Sequence, residues 1–219
     1  MKINDLAYEL LEIVQKTVKD DFFIDIRLLK DFIKDQRAVL LERAFDDNDD
    51  FYRFVQIYNK HKDGVVNVEL LNSDGYLNSK IVLLKSTEKI TPTLLLQNRH
   101  AITKVSPKNF LIPPFKFVNY DEAIYSGGGK FNRYMNVSFI RDGYLYIKAN
   151  DNQYTRNLTD VVVEGIFENP LLVPGFDEDN DDYPISAHIW NNIIDMVMKN
   201  KISIKIGASD DVINNATNA

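Results

Sequence analysis

The stretch 115–148 constrains the fold of this chain most. It reads FKFVNYDEAIYSGGGKFNRYMNVSFIRDGYLYIK. Aromatic and β-branched residues crowd it, and Gly127-Gly128-Gly129 and Asp142-Gly143 interrupt it. That pattern predicts strands joined by turns. It sets the Gly-rich segment 127–130 between strands and not ahead of a helix. A phosphate-binding loop needs G-x-x-x-x-G-K, then Ser or Thr, and a helix that starts at the Lys. Here Phe131 follows Lys130, so the hydroxyl that would hold Mg²⁺ is missing. Gly127, Gly128 and Gly129, like Asp142 and Gly143, are read as structural turns that supply positive φ or room beside a neighbouring backbone.

Helical periodicity marks both ends of the chain. Over 4–19, Leu6, Leu10 and Ile13, with Ala7, Leu11, Val14 and Val18, recur at i, i+3, i+4 and i+7. Asn4 is the expected N-cap. A second helix is expected over 26–44, capped by Asp25, with a stripe of Ile26, Leu29, Ile33 and Leu40 widened by Phe32 and Val39. The short link predicts an antiparallel pair. A third helix, over 187–200 and capped by Ser186, presents Ile189, Trp190, Ile193, Ile194, Val197 and Met198 on one wide apolar face. That spacing reads first as core. The width of the face also makes Ile189, Trp190 and Ile193 candidates for a subunit interface.

Between these helices the period changes to two. Strands are expected over 65–70, 81–84, 94–97, 102–105 and 161–167, the last ended by Asn169-Pro170. After the last helix, Ile202, Ile204 and Ile206 alternate with Ser203 and Lys205. Such a segment either adds a strand to a neighbouring protein or closes the chain's own core. The expected class is therefore α+β, with helices segregated around a β-rich centre. The divisions are a helical hairpin (1–45), a β-rich region (46–182), a C-terminal helix (183–200) and a tail (201–219).

Composition narrows the chemistry. A chain of 219 residues buries on the order of 70% of its unfolded surface and folds without staples. The absence of Cys removes disulfides, thiolate metal sites and Cys nucleophiles. Acids at Asp5, Glu9 and Glu12 argue against a signal peptide, and no apolar run reaches the roughly 20 residues of a membrane span. Synthesis in a cytoplasm, with no membrane partner, is the expectation. Nine of the 32 acids lie in the segments 46–50 and 177–182, which leaves 23 against 26 basic residues elsewhere. The two segments are read as solvated connectors, the alternative being negative fringes that face a charged partner.

No complete catalytic constellation is visible. Asp177, Asp179 and Asp181 have calcium-loop spacing, but an EF-hand's Gly and Glu positions hold Asp182 and His188. His61, His100 and His188 lack zinc-type spacing, and no G-x-S-x-G elbow is present. Lys80, Lys85, Lys89, Arg99, Lys104, Lys108 and Lys116 give the centre a basic tilt. That pattern is read as one solvated sheet face, with a nucleic-acid backbone as the alternative partner. No catalytic residue, metal or cofactor is assigned.

Several phrases together resemble the virion structural proteins of crAss-like tailed bacteriophages, specifically a ring component of the head–tail connector or collar. They are QRAVLL at 36–41, YDEAIYSG at 120–127, KFN at 130–132, DGYLYI at 142–147, FENP at 167–170 and YPIS at 183–186. The resemblance spans most of residues 1–200. It departs at Gly128, where the family pattern has Asn, a residue that also tolerates positive φ. It implies a non-enzymatic homo-oligomer, a twelve-fold ring below the portal that contacts portal and other collar or tail proteins. Genomic DNA would pass through its channel without specific binding. Two other classes stay open on the residues alone: a module that binds nucleic acid or a tail protein, and a small enzyme with a site assembled from scattered residues.

Overall fold

A computed structural model describes residues 1–17, 24–44, 51–58, 65–71, 81–96, 99–108, 113–126, 136–197 and 199. The candidate turn Gly127–Gly128–Gly129 and the tail residues Ile202, Ile204 and Ile206 lie outside them. The chain forms two compact units: Met1–Arg53 with Asp177–Ala219, and Phe54–Phe176.

The first unit is helical. Helix α1 runs Ile3–Thr17 and buries Ile3, Leu6, Ala7, Leu10 and Val14, one continuous stripe. Its first turn starts earlier than the sequence implies. The Lys2 carbonyl accepts the Leu6 N–H, so Asn4 lies inside the helix and is not its cap. Helix α2 (Ile26–Ala44) begins as expected: Asp25 Oδ1 accepts the Arg27 N–H at 2.9 Å. Its buried face is Leu29, Ile33, Gln36, Arg37 and Leu41, while Leu40 is only half-buried. The expected stripe thus misplaced its centre, because a charged residue holds the most interior position.

That residue, Arg37, is fully buried. Its Nε donates to the Pro184 carbonyl at 2.9 Å, and its guanidinium carbon lies 5.7 Å from the centre of the Tyr183 ring. Burial lowers its pKa to about 10, so it keeps its charge at neutral pH. Burial also raises the Tyr183 phenol to about 12, against the opposing pull of Arg37.

The last helix of the chain, α5, runs Ala187–Val197 in this same unit. The Ser186 carbonyl accepts the Trp190 N–H at 3.1 Å, and its hydroxyl faces the Ile189 N–H at 3.4 Å. Helix α2 packs against both α1 and α5.

The second unit is a curled sheet, antiparallel except where β7 runs parallel to β8. Its strands are β1 (Gln56–Ile57), β2 (Val65–Leu70), β3 (Ile81–Ser86), β6 (Ile102–Pro107), β7 (Lys116–Phe117), β8 (Val137–Arg141), β9 (Tyr144–Asn150) and β10 (Asp160–Gly165). A separate hairpin pairs β4 (Leu95–Leu96) with β5 (Arg99–His100). Pairing runs β6–β10–β2–β3–β9–β8–β7, with β1 beside β2 on the same side of β10. Phe115, just ahead of β7, then bridges Val105 of β6, its N–H donating at 2.8 Å. The path of pairings returns on itself through that bridge.

Alternation assigns the two faces. Val66, Val68, Val82, Leu84, Val105, Leu145, Ile147, Ala149, Val161 and Val163 point inward to a shared core with Phe115 and Phe167. Each apolar side chain so buried contributes on the order of 2 kcal/mol. Between β8 and β9, Asp142 (φ 53°) and Gly143 (φ 82°) make the two-residue turn whose positive φ values match strand twist. At Gly165 an added Cβ would meet the Ala101 carbonyl oxygen at 2.8 Å, where the β6–β10 register shifts.

Two short helices were not visible as such in the sequence. Helix α3 is Tyr120–Tyr125 and α4 is Gln153–Arg156. The first corrects the expectation that strands flank the Gly-rich segment: the residues just before it are helical. Aromatic density favoured a strand, but Asp121 and Glu122 occupy the first turn, where acids favour a helix, and Ala123 faces the sheet.

Candidate functional site

Three of the six proposed interaction residues lie among the described ones. Ile189, Trp190 and Ile193 are buried within the helical unit. The Trp190 indole N–H donates to Glu9 Oε2 of α1 at 3.0 Å. Among its described side chains, α5 leaves Ala187, Asn191, Asn192 and Asp195 exposed.

The acidic segment 177–182, expected as a solvated connector, is an internal clasp of the helical unit. Lys30 pairs with Glu178, Asn4 Nδ2 donates to Asp179 Oδ1 at 2.8 Å, and the Met1 ammonium meets Asp182 at 2.6 Å. The Tyr183 N–H donates to the Met1 carbonyl. Within the loop, Asp177 accepts from Asn180 Nδ2 (2.7 Å) and the Asp179 N–H (2.9 Å), and both bonds hold its carboxyl below the usual range. Asp181 Oδ2 accepts the Asp177 N–H in turn. The carboxylates with calcium-loop spacing thus serve loop closure.

The basic tilt of the centre is dispersed over the outer wall of the curled sheet. Lys85 (β3) stands 3.9 Å over the Tyr144 ring, with Lys89 at 5.8 Å; Lys104 (β6) pairs with Glu164 at 3.0 Å; Lys116 lies on β7. Strands β6 and β7 meet through the Phe115–Val105 bridge, but β3 lies three strands from either, so these described lysines do not line up in one stripe. His100 is half-buried, its Nδ1 hydrogen-bonded to the Thr93 hydroxyl at 2.8 Å and its ring edge-on to Phe117. Burial lowers its pKa. An open depression beside α4 is lined by Lys108, Tyr154 and Asp160 among others. Burial, then Asp160, raises the Tyr154 phenol, which makes it a poor base at neutral pH.

The surface that stands out is α3, on the outer face of β8 and β9. Its Ala123 packs with Val118, Val137 and Phe139, and half-buried Leu83 and Tyr146 border that cluster. Phe139 stacks on Tyr146 (5.3 Å, 7°), Tyr120 leans on Phe139 (5.7 Å), and Arg141 lies over Tyr120 while donating to its hydroxyl at 2.7 Å. Lys148 of β9 reaches the end of the helix and donates to the carbonyls of Ala123 (3.0 Å) and Ser126. A cation there satisfies the last carbonyls and opposes the helix dipole. Burial lowers the Lys148 pKa. The helix is thus held rigidly, yet Tyr125 is 79% exposed and Ile124 53% exposed. A helical reading of YDEAIY, with Tyr120 and Ile124 four apart, would have exposed this face in the sequence.

None of the helices among the described residues is long and apolar enough to cross a membrane. Among curated proteins, none matched the chain. The family described as phage tail ring protein 2 matches over residues 5–219, nearly the whole length and both compact units. The chain belongs to the phage tail ring protein 2 family of crAss-like phages.

Proposed function

We propose that this protein is a structural subunit of the head–tail connector, a collar or adaptor ring that bridges portal and tail and lines the DNA passage, with no catalytic role. The observation that carries the reading is family membership across residues 5–219, which makes the chain a ring-forming virion component. Twelve copies, in register with the portal, would close the ring, and genomic DNA would pass without specific contacts. Lys85 stands three strands away from Lys104 and Lys116, which supports passage over binding, since a groove that holds DNA collects its cations along one track.

The test is quantitation of the protein in purified virions, with microscopy of the purified protein alone and with portal. A copy number matching the portal and a ring density at the collar are expected. One or a few copies per particle, or absence from particles, would overturn the reading.

A further inference from the structure

We propose that neighbouring copies in the ring meet head to tail through the sheet unit, the exposed face of α3 on one copy against the outer wall of β1, β10 and β6 on the next. The inference rests on the ring reading and adds the surfaces to it.

A closed ring needs two different patches on each subunit, placed on different sides so that every copy gives one and receives the other. The first patch is α3, with Ile124 and Tyr125 exposed, Tyr120 at its edge and Lys148 and Arg141 holding it in place. A rigid Tyr on a pinned helix is the kind of anchor that loses little entropy on contact.

Strand order sets where the second patch lies. From β9 the path to β10 takes three steps through β3 and β2; from β8 it takes three steps through β7 and β6. With α3 lying over β8 and β9, the wall centred on β10 is therefore the one across the curled sheet from it. On that wall the register sets Ile57, Glu164 and Lys104 side by side across three strands. They face outward, because the next residues along, Tyr58, Val163 and Val105, belong to the inner core. Ile57 is 43% exposed, and the Lys104 side chain is 39% exposed beside Glu164. An apolar Ile bordered by the Lys104–Glu164 ion pair gives an apolar centre with a polar rim, which suits a helix that offers Ile124 and Tyr125 flanked by exposed Asp121 and Glu122.

The natural lack of cysteine makes the test direct. Ile57→Cys and Ile124→Cys are introduced separately and together in the full chain, treated with a short bismaleimide, and run beside mass photometry of the same samples. The double variant is expected to give a ladder of many copies. Each single variant alone should stay uncrosslinked, and a mixture of the two should stop at dimers. Tyr125→Asp should lower the assembled fraction about tenfold or more with an unchanged urea midpoint. Assemblies that form without any crosslink would overturn these surfaces while leaving the ring intact. Crosslinking of Ile124→Cys to itself would show a two-fold contact and overturn the head-to-tail arrangement. A chain that stays monomeric at every concentration would overturn self-assembly itself, and the ring reading with it.

Discussion

Trp190 of α5 gives its indole N–H to the Glu9 carboxylate of α1 at 3.0 Å, and this bond ties the last helix of the helical unit to the first. The ring is 5% exposed, and most of its value to the fold is burial. Trp190→Phe should cost about 1–2 kcal/mol by urea unfolding, and Trp190→Ala about 3–5 kcal/mol. Glu9→Gln, which keeps an acceptor, should change the midpoint little. A Trp190→Ala protein of normal stability that fails only in assembly would place this side chain at an interface instead.

Arg37 should be the least replaceable charge in the helical unit. Arg37→Ala leaves a cavity and the Pro184 carbonyl without its donor, and a loss of about 3–5 kcal/mol is expected. Arg37→Met fills most of the volume and should recover a good part of that. Arg37→Lys should not, since a more strongly hydrated ammonium costs more to bury beside Tyr183 and lacks the fork that reaches the Pro184 carbonyl. Thermal melts of the three variants rank them.

His100 predicts an acid slope. Burial favours its neutral form, so its folded pKa lies below the usual 6.5. Below pH 6.5 the unfolded chain takes up a proton before the folded one does, and stability falls as pH drops. The contribution is complete above 6.5 and lost on the acid side. His100→Gln should flatten the loss of urea midpoint between pH 7 and 5. An unchanged slope would assign the acid sensitivity to other groups.

Gly165 has no room for a side chain. Gly165→Ala would press Cβ against the Ala101 carbonyl at 2.8 Å, an atom that the β6–β10 pairing holds in place. A loss of about 1–3 kcal/mol is expected in equilibrium unfolding. Gly143→Ala acts differently: space is available, and the cost comes from φ 82°.

Lys148 pins α3. Lys148→Met should lower stability by roughly 1–2 kcal/mol. Hydrogen exchange should then speed up at Tyr120–Tyr125 well before it does in β9. Uniform protection in the variant would show that packing of Ala123 alone holds the helix.

The sequence disclosed what repeats and hid what occurs once. Three long helices and strands β2, β3, β6, β9 and β10 were legible because apolar residues recur at 3.6 or 2. Asp142-Gly143 was legible because few residue pairs tolerate two positive φ values in succession. Arg37 was hidden, since its burial depends on Tyr183 and Pro184, 146 and 147 residues away. The clasp at 177–182 was hidden for the same reason: an acidic run looks alike whether its partners are water or Lys30 and Asn4. Helix α3 was lost to its aromatics, which face outward and so break the expected link between bulk and burial. The family resemblance was carried by short phrases, several of which fall on these one-off features: QRAVLL holds Arg37, YPIS holds Tyr183 and Pro184, and YDEAIYSG is α3.

The bridge from Phe115 to Val105 has a consequence for crowding. When many copies stand shoulder to shoulder, an open sheet margin invites strand sharing, and neighbours fuse in registers that nothing specifies. Here the β6 and β7 margins of the curled sheet are turned toward each other, and β1, at the end of the pairing path, is only two residues long. Adjacent copies are left to tell one another apart by side-chain shape and charge, which a single substitution can retune without unravelling the sheet.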